Sequence, residues 1–431
     1  MNIRKMALLI GLITLIGQQL AAQMLLIPMD EKQSNHLKAY GIAYKTLEVG
    51  GEIHWLLNYR GGSFALAYSD IMKKECNIRN VSFEVIPTAK FTKIQSEIAS
   101  PEINMDDLKL QVAPKVAVYS PRQNERGESV QPWDDAVTLA LTYAEIPYTI
   151  IYDDEVLKGD LVKYDWLHLH HEDFSGMYGK FWSQFNGVPW YRTYVQRMEA
   201  LAQKNGFAKV SKLKLAVVFK IREFVSGGGF MFAMCSATDT YDIALAAQNT
   251  DICDYMFDGD PPAPNFNDQL DYTQTFAFKN FQVMRDPRLY EHSEIDASPH
   301  TQPMRMMDER TDFFTLFDFS AKWDPVPTIL TQNHTRTVKG FMGQSTAFRK
   351  RYIKSNVLLL AESKAFDEAR YIHGTFEKGT WTFYGGHDPE DYTHKVGDPF
   401  TDLSLHPNSP GYRLILNNVL FPAAKKKKQK T

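Results

Sequence analysis

Cys235 is the residue of this 431-residue sequence whose surroundings say most about chemistry. It follows the apolar run Phe230–Met234 and precedes a segment with helical character, Thr238–Ala247. A nucleophile elbow is a sharp strand-to-helix turn, and its crowded backbone needs small residues two positions before and after the nucleophile. Ala233 and Ala237 meet that need, so the pattern predicts a cysteine nucleophile at a helix N-terminus, where thiolate and oxyanion are both favoured. The alternative interpretation is a buried cysteine that ends a core strand.

His387 is the candidate base for such a nucleophile. The apolar stretch 381–384 leads into two glycines and then His387, with carboxylates one and three residues later at Asp388 and Glu390. A thiol nucleophile needs a base and an acid that orients the base, and this spacing offers both. Glu390 or Asp388 would be the orienting residue. The alternative is a polar turn in which His387 is hydrogen-bonded locally.

A histidine-rich strand end is the third feature. In the segment 166–170, side chains alternate between faces, so His168 and His170 share one face, and His171 and Glu172 follow directly. Imidazole together with carboxylate suits zinc, which makes His168, His170 and His171 candidate metal ligands. His170, His171, Glu172 and Ser236 are also candidates for contact with a substrate. The alternative is that the histidines pack beneath a neighbouring insertion.

The elements that must position these residues alternate between strand and helix. Apolar strands at 116–119, 148–152 and 166–170, with a helix at 134–143, have the spacing of βαβ units and a parallel sheet. We therefore expect a large α/β domain. The expected organisation is an N-terminal α/β module at 24–98, a linker at 99–114, a domain at 115–422 with a helical insertion at 174–210 and an irregular excursion at 249–325, and a basic tail at 423–431.

The two ends of the chain differ from its body. Residues 1–22 combine a basic start, an apolar run of about ten residues and small residues before Gln23, which is typical of a cleaved signal peptide and predicts export to the periplasm. No apolar run approaches the ~20 residues that span a bilayer, so no transmembrane segment is expected. Three cysteines in an oxidising compartment leave at least one thiol unpaired, and whether Cys76 and Cys253 pair stays open.

Composition excludes several classes of protein. The chain is 44% hydrophobic and 23% charged with a formal charge of −3, which is ordinary for a globular protein and untypical of disordered or disulfide-stapled chains. Apart from a run of lysines at 425–428 and Lys430, which is typical of a solvated terminus, nothing indicates a nucleic-acid partner.

The order of elements and the two motifs around Cys235 and His387 resemble the class I glutamine amidotransferase-like superfamily over roughly residues 113–390. The resemblance implies a flavodoxin-like parallel sheet, with Cys235 at the position of the nucleophile, His387 at that of the base and Glu390 at that of the acid. Alanines stand where that family has its elbow glycines. The whole chain is also similar to exported bacterial proteins labelled asparagine synthetase B, but it lacks that enzyme's N-terminal cysteine and Asp-Ser pyrophosphate loop.

These observations predict an exported cysteine-dependent hydrolase or amidase acting on an amide-containing or glycan-related substrate, with no cofactor required. Two other functions stay open. One is a non-catalytic protein that binds a glycan or peptide on the same scaffold. The other is a metal-dependent hydrolase that uses the cluster from His168 to His171, with zinc as its cofactor. The oligomeric state cannot be predicted.

Overall fold

The computed structural model describes residues 23–297, 308–324, 334–394 and 398–424. The expected signal peptide, the lysines of the basic tail and a strand that the sequence predicts at 328–330 lie outside the described residues. In the described ranges, no helix combines the length and the apolar composition that crossing a bilayer requires.

The N-terminal part is an antiparallel sheet covered by helices. Its strands lie in the order β4-β1-β3-β2-β5. They are β1 (Gln23–Ile27), β2 (Ile53–Leu57), β3 (Ser63–Ala67), β4 (Glu84–Pro87) and β5 (Asp106–Leu110), and the helices are α1 (His36–Glu48), α2 (Asp70–Ile78) and α3 (Thr88–Ile98).

The segment 99–114, which the sequence predicts to be a linker, contains the strand β5. Its strand β5 pairs with β2 along five residues and belongs to the N-terminal sheet. Leu108 and Leu110 are buried while Lys109 between them is exposed. An alternation this short carries little signal in a sequence, because the edge of β2 that pairs with it lies some fifty residues away.

A larger mixed sheet forms the second part of the fold. Its strand order is β11-β10-β13-β14-β15-β9-β8-β6-β7, with β12 paired to β14. The strands are β6 (Val116–Tyr119), β7 (Thr149–Ile151), β8 (Trp166–Leu169), β9 (Phe230–Met234), β10 (Phe313–Leu316), β11 (Thr337–Lys339), β12 (Phe348–Arg349), β13 (Leu358–Ser363), β14 (Glu368–Phe376) and β15 (Gly379–Tyr384).

Only half of this sheet is parallel. The strands β7, β6, β8, β9 and β15 run parallel to one another, whereas β15, β14, β13, β10 and β11 pair antiparallel. The protein is thus a mixed α/β protein and not one with a parallel sheet throughout. The reason lies in the connections, because β13, β14 and β15 follow one another across a few residues, and a parallel crossover needs a dozen or more.

Helices cover both faces of the larger sheet. In the segment 174–210, Pro189 begins the long helix and does not interrupt one, since a proline at the first helical position loses no hydrogen bond. The helices are α4 (Ala136–Ala144), α5 (Asp153–Leu157), α6 (Trp182–Phe185), α7 (Pro189–Lys204), α8 (Val210–Ser226), α9 (Ser236–Ala246), α10 (Tyr255–Asp258) and α11 (Pro410–Leu420).

The predicted excursion at 249–325 contains ordered elements. Helix α10 lies within it, and β10 joins the larger sheet. The buried carboxylate of Asp242 anchors one stretch of this segment by accepting hydrogen bonds from the backbone N–H groups of Phe276, Ala277 and Phe278 at 2.7, 2.7 and 2.9 Å. Burial raises the pKa of Asp242 to about 6, so these bonds are charge-assisted at neutral pH. The pattern of apolar residues in a sequence does not reveal a hydrogen-bonded contact between a side chain and a distant backbone segment.

The two sheets share one hydrophobic core. Leu37 and Tyr40 of α1 lie in the same buried cluster as Leu141 of α4 and Leu416 of α11. Gly41 makes the close approach of α1 and α4 possible, since a Cβ atom at this position would lie 1.8 Å from the carbonyl oxygen of Ala144. The N-terminal module is therefore packed against the larger domain as part of one interior.

Replacing Gly41 with alanine tests this packing. A helical Gly→Ala change ordinarily stabilises a protein by up to about 1 kcal/mol. Here we expect a loss of about 3 kcal/mol, because backbone must move to accommodate the methyl group. Urea unfolding measures the difference. Gly187→Ala is the matched control, since a Cβ at Gly187 meets nothing within 4 Å, and it should change stability by less than about 0.5 kcal/mol. Equal midpoints for the two variants would contradict the packing argument.

Candidate functional site

The candidate site lies where three neighbouring parallel strands end. Strand β9 pairs with β8 on one side and with β15 on the other, and Ala233 is in register with Leu169 and with Phe383. The residues that follow these strands, His170, Cys235 and His387, therefore emerge at the same edge of the sheet. Open α/β sheets bind ligands at this edge.

Cys235 occupies a strained strand-to-helix turn. Its backbone dihedrals are φ 51° and ψ −140°, between the last residue of β9 and the first residue of α9. Such values are unfavourable for any residue with a side chain and cost about 1–3 kcal/mol. The N–H group of Ala237 donates a 2.9 Å hydrogen bond to the carbonyl of His170, which ties the turn to the end of β8.

The Cys235 thiol is covered. The residue is 3% exposed, and its sulfur accepts a hydrogen bond from the backbone N–H of Gln344 at 3.3 Å. Burial raises the pKa of Cys235, although the amides of Ser345, Gln344 and Ser236 act in the opposite direction. The resting protein therefore holds a protonated thiol beneath the segment 341–347, which we call the covering loop.

The covering loop contacts both the thiol and the strand end that carries His387. The N–H of His387 donates to the carbonyl of Met342, and the hydroxyl of Ser345 donates to the buried Asp239, at 2.9 and 2.8 Å. A Cβ atom on Gly343 would lie 3.1 Å from the sulfur of Cys235 and 3.0 Å from the backbone nitrogen of His387. The sulfur and the His387 backbone are thus separated by little more than the width of one glycine.

The ring of His387 faces other imidazoles. Its centroid lies 4.1 Å from that of His394 in a stacked pair and 4.2 Å from that of His170. Within the described residues the Cys235 sulfur has no hydrogen bond to this ring, so the expected thiol–imidazole pair is not formed. Burial, together with the neighbouring imidazoles, lowers the pKa of His387 well below its ordinary value and keeps the ring neutral.

Neither predicted carboxylate orients His387. Asp388 accepts hydrogen bonds from the hydroxyls of Tyr412 and Thr401, each at 2.8 Å. Glu390 lies 3.2 Å from the ring of His406. The chain turns directly after His387, with a bridge between Asp388 and Asp391, and this turn directs both carboxylates toward α11 and the segment before it. The expected role of Asp388 and Glu390 is therefore wrong for this structure.

Asp135 is the carboxylate that contacts the histidines at the end of the neighbouring strand β8. It caps the N-terminus of α4, and its second oxygen lies 2.8 Å from Nε2 of His168 and 2.5 Å from Nδ1 of His170. Burial disfavours this charge, but the two imidazoles and the helix amides outweigh burial and hold the pKa of Asp135 well below its usual range. The sequence does contain a signal for the position of Asp135, because an aspartate directly before an apolar helix is a typical N-cap. It contains no signal for the contact with the histidines.

His168 is held by the protein, although Asp135, His168 and His170 also form a group whose potential ligand atoms lie within 4.8 Å of one another. It is fully buried, with Nε2 on Asp135 and Nδ1 3.2 Å from the carbonyl oxygen of Phe232. Both ring nitrogens are therefore occupied by the protein. Another group contains His387 and not His168. One ring nitrogen each of His170, His171 and His387 lie within 4.8 Å of one another.

Glu172 lies at the wall of a cavity next to this cluster. Its carboxylate accepts hydrogen bonds from Tyr152 at 3.2 Å and from the fully buried Lys214 at 3.3 Å. Burial raises the pKa of Glu172 despite the charge of Lys214. The cavity has a volume of about 630 Å³ and is also lined by Arg122, Tyr194 and Arg197. Its size is that of a small-molecule site.

The remaining predicted positions are Ser236 and the two other cysteines. Ser236 begins α9, and its buried hydroxyl has no hydrogen-bond partner among the described residues. Cys76, Cys235 and Cys253 are all buried free thiols. Cys76 lies in α2 of the N-terminal part, while the sulfur of Cys253 is 3.5 Å from the carbonyl oxygen of Ser175 in the larger domain.

Comparison with known proteins gives little. No family model and no curated protein matches the chain. Two solved structures from Salmonella typhimurium, described as the cytoplasmic proteins STM1381 and STM3548, are 11% and 9% identical, with TM-scores of 0.34 and 0.33; each match covers 69% of this chain and 89% of the other. A GH42 beta-galactosidase is 11% identical with a TM-score of 0.29, over 65% of this chain and 28% of that one. Similarities this weak carry no argument about function.

The strain at Cys235 can be measured by comparing two substitutions. Cys235→Gly relieves the unfavourable dihedrals while Cys235→Ala retains them, so we expect the glycine variant to be the more stable by about 1 kcal/mol. Urea unfolding gives both values. Ser96, exposed inside α3, provides the reference pair, in which glycine should be the less stable by about 1 kcal/mol. The same order at both positions would contradict the strain.

Proposed function

We propose that this protein is a hydrolase in which Cys235 is the nucleophile. The observation that carries this proposal is the backbone of Cys235, with φ 51° and ψ −140° at the turn between β9 and α9. A cysteine that only ends a core strand has no need of an unfavourable backbone, and such strain concentrates at functional sites. The same turn presents a nucleophile at the edge of the sheet in enzymes that use an elbow.

The surrounding groups support acyl transfer. The amides of Ser236 and Gln344 that now contact the sulfur are oriented to donate to an oxyanion formed beside it. After its ring turns from the imidazoles of His170 and His394 toward the sulfur, His387 would take the proton from the thiol as the sulfur bonds to the carbonyl carbon. The bond from that carbon to the leaving nitrogen or oxygen then breaks, and the proton passes to the leaving group. Water hydrolyses the resulting thioester and restores the thiol.

Substrate access requires the covering loop to open, since it shields the sulfur. The cavity beside Glu172 is the natural place for the rest of the substrate, because Glu172 directly follows His171 in the chain and the cavity offers both carboxylates and arginines to a polar ligand. We propose an amide-containing or glycan-related substrate on this basis. The covered thiol also favours a second candidate, a non-catalytic protein that binds a glycan or peptide in the same cavity.

We further propose that the chain is an exported, periplasmic member of the class I glutamine amidotransferase-like superfamily with a flavodoxin-like core. The run of parallel strands β7-β6-β8-β9-β15 and the elbow after β9 support the family, and the composition of residues 1–22 supports export. Fractionation of the native host, with immunodetection of the chain and N-terminal sequencing, tests export independently of activity.

Hydrolysis of p-nitrophenyl acetate tests the nucleophile. We expect the wild-type protein to release p-nitrophenol and to carry one acetyl group on the peptide that contains Cys235, detected by mass spectrometry. Cys235→Ala should lower the rate at least 100-fold, about 2.7 kcal/mol of transition-state stabilisation. Cys76→Ala removes a buried thiol far from the site and should retain the rate. A wild-type protein that is neither acetylated nor active overturns the hydrolase and leaves the binding protein.

A further inference from the structure

We propose that His170, His171 and His387 form a binding site for one divalent transition-metal ion of the zinc type. Their ring nitrogens lie within 4.8 Å of one another. Tetrahedral zinc at 2.0–2.1 Å from each nitrogen requires separations of about 3.4 Å. Metal binding would therefore draw the three nitrogens together by at most about 1.4 Å. The three residues come from two strand ends that β9 holds side by side, so the fold itself creates the cluster.

An unsatisfied buried nitrogen points to a ligand at this place. His170 is 3% exposed, and neither of its ring nitrogens has a partner in hydrogen-bond geometry within the described residues, although Nδ1 lies 2.5 Å from Asp135. Nδ1 of His387 is likewise buried without a partner in this part of the chain. Leaving a buried polar atom unpaired costs about 1–3 kcal/mol. A metal ion that accepts the free lone pair would remove this cost.

The residues behind the cluster match the outer shell of a metal site. Metal-binding histidines almost always place their second nitrogen on a carboxylate or carbonyl, which selects the tautomer and orients the ring. Nδ1 of His170 lies 2.5 Å from Asp135, which leaves Nε2 as the ligand atom. His387 stacks on His394, whose Nδ1 lies 3.0 Å from Asp391.

The ligand set selects the class of ion. Three imidazoles suit zinc and related transition metals, whereas Ca²⁺ and Mg²⁺ need oxygen ligands. His171 is exposed, so the fourth position faces solvent. Three protein ligands with one open position are typical of sites that activate a water molecule, and structural sites are closed by four.

A further group of potential ligands is already neutralised by a lysine side chain. Asp251, Cys253 and Asp258 also converge, but the ammonium group of Lys209 lies 2.7 Å from Asp251 and 3.0 Å from Asp258. This cation already neutralises the carboxylates. Among the described residues, no ion pair brings a lysine or arginine into the histidine cluster: Asp135 contacts His168 and His170, and Lys214 pairs with Asp153 and Glu172.

The metal site does not rest on Cys235 acting as a nucleophile. With an ion bound, His387 would be one of its ligands and would no longer be free to accept the proton of the thiol. Metal binding is measured without a substrate, so a failure of the ester assay and a failure to bind metal are separate results.

The test is a zinc titration of the full chain after treatment with a chelator. We expect roughly one Zn²⁺ per chain by competition with a colorimetric chelator, and Co²⁺ should give the visible absorption of a low-coordinate site. His171→Ala and His387→Ala should weaken binding at least tenfold, and Asp135→Asn about ten- to a hundredfold. His171 is exposed, so its variant separates ligation from folding.

Two controls complete the experiment. His406→Ala removes a histidine that contacts Glu390 away from the cluster, and Cys235→Ser keeps the elbow without the thiol; both should bind Zn²⁺ as the wild type does. Less than about 0.2 equivalents bound to the wild type overturns the site. Undiminished binding by His171→Ala and His387→Ala, or loss of binding in Cys235→Ser, overturns the assignment to three imidazoles.

Discussion

The buried carboxylate of Asp135 is the interaction on which the arrangement at the strand ends depends. It satisfies the first amides of α4 and at the same time holds His168 and His170 on the adjacent strand. Because a buried charge is costly unless its lone pairs are used, the contacts of Asp135 tie the start of α4 to His168 and bring His170 within 2.5 Å of the same carboxylate. The ring of His387 is placed in turn, since it packs on His170.

The turn at Cys235 and the covering loop have opposite effects on the exposure of the thiol. The dihedrals of Cys235 direct its side chain to the sheet edge at a cost in backbone energy, while Gln344 and its neighbours shield the sulfur with hydrogen bonds. In this arrangement the thiol is shielded from solvent although its backbone is strained. Gly343 is the narrowest point of this cover, lying between the sulfur and the strand end that carries His387.

Much of the fold could be predicted because apolar periodicity is a local property. The strands around β6, β8 and β9 and the elbow that follows β9 are apparent from residue type alone. Strand β14 was not predictable: Glu368, Arg370 and His373 lie within it and are fully buried, and Arg370 is paired with Asp312 from a distant segment. A charged residue in a sheet interior depends on a partner that only the folded chain supplies. The apolar runs near β11, β13 and β15 do indicate strands, but their antiparallel pairing through β10 and β14 was not predicted.

By itself the sequence determined which residues end the central strands, and so which side chains reach the carboxyl edge of the sheet: His170, Cys235 and His387. Only the tertiary structure decided how they combine. It directs the carboxylates after His387 to other partners, supplies Asp135 from a helix N-terminus instead, and joins His387 to the histidines of β8. Strand pattern is encoded by neighbours in the chain, whereas a hydrogen-bond partner is chosen by burial, which brings together groups hundreds of residues apart.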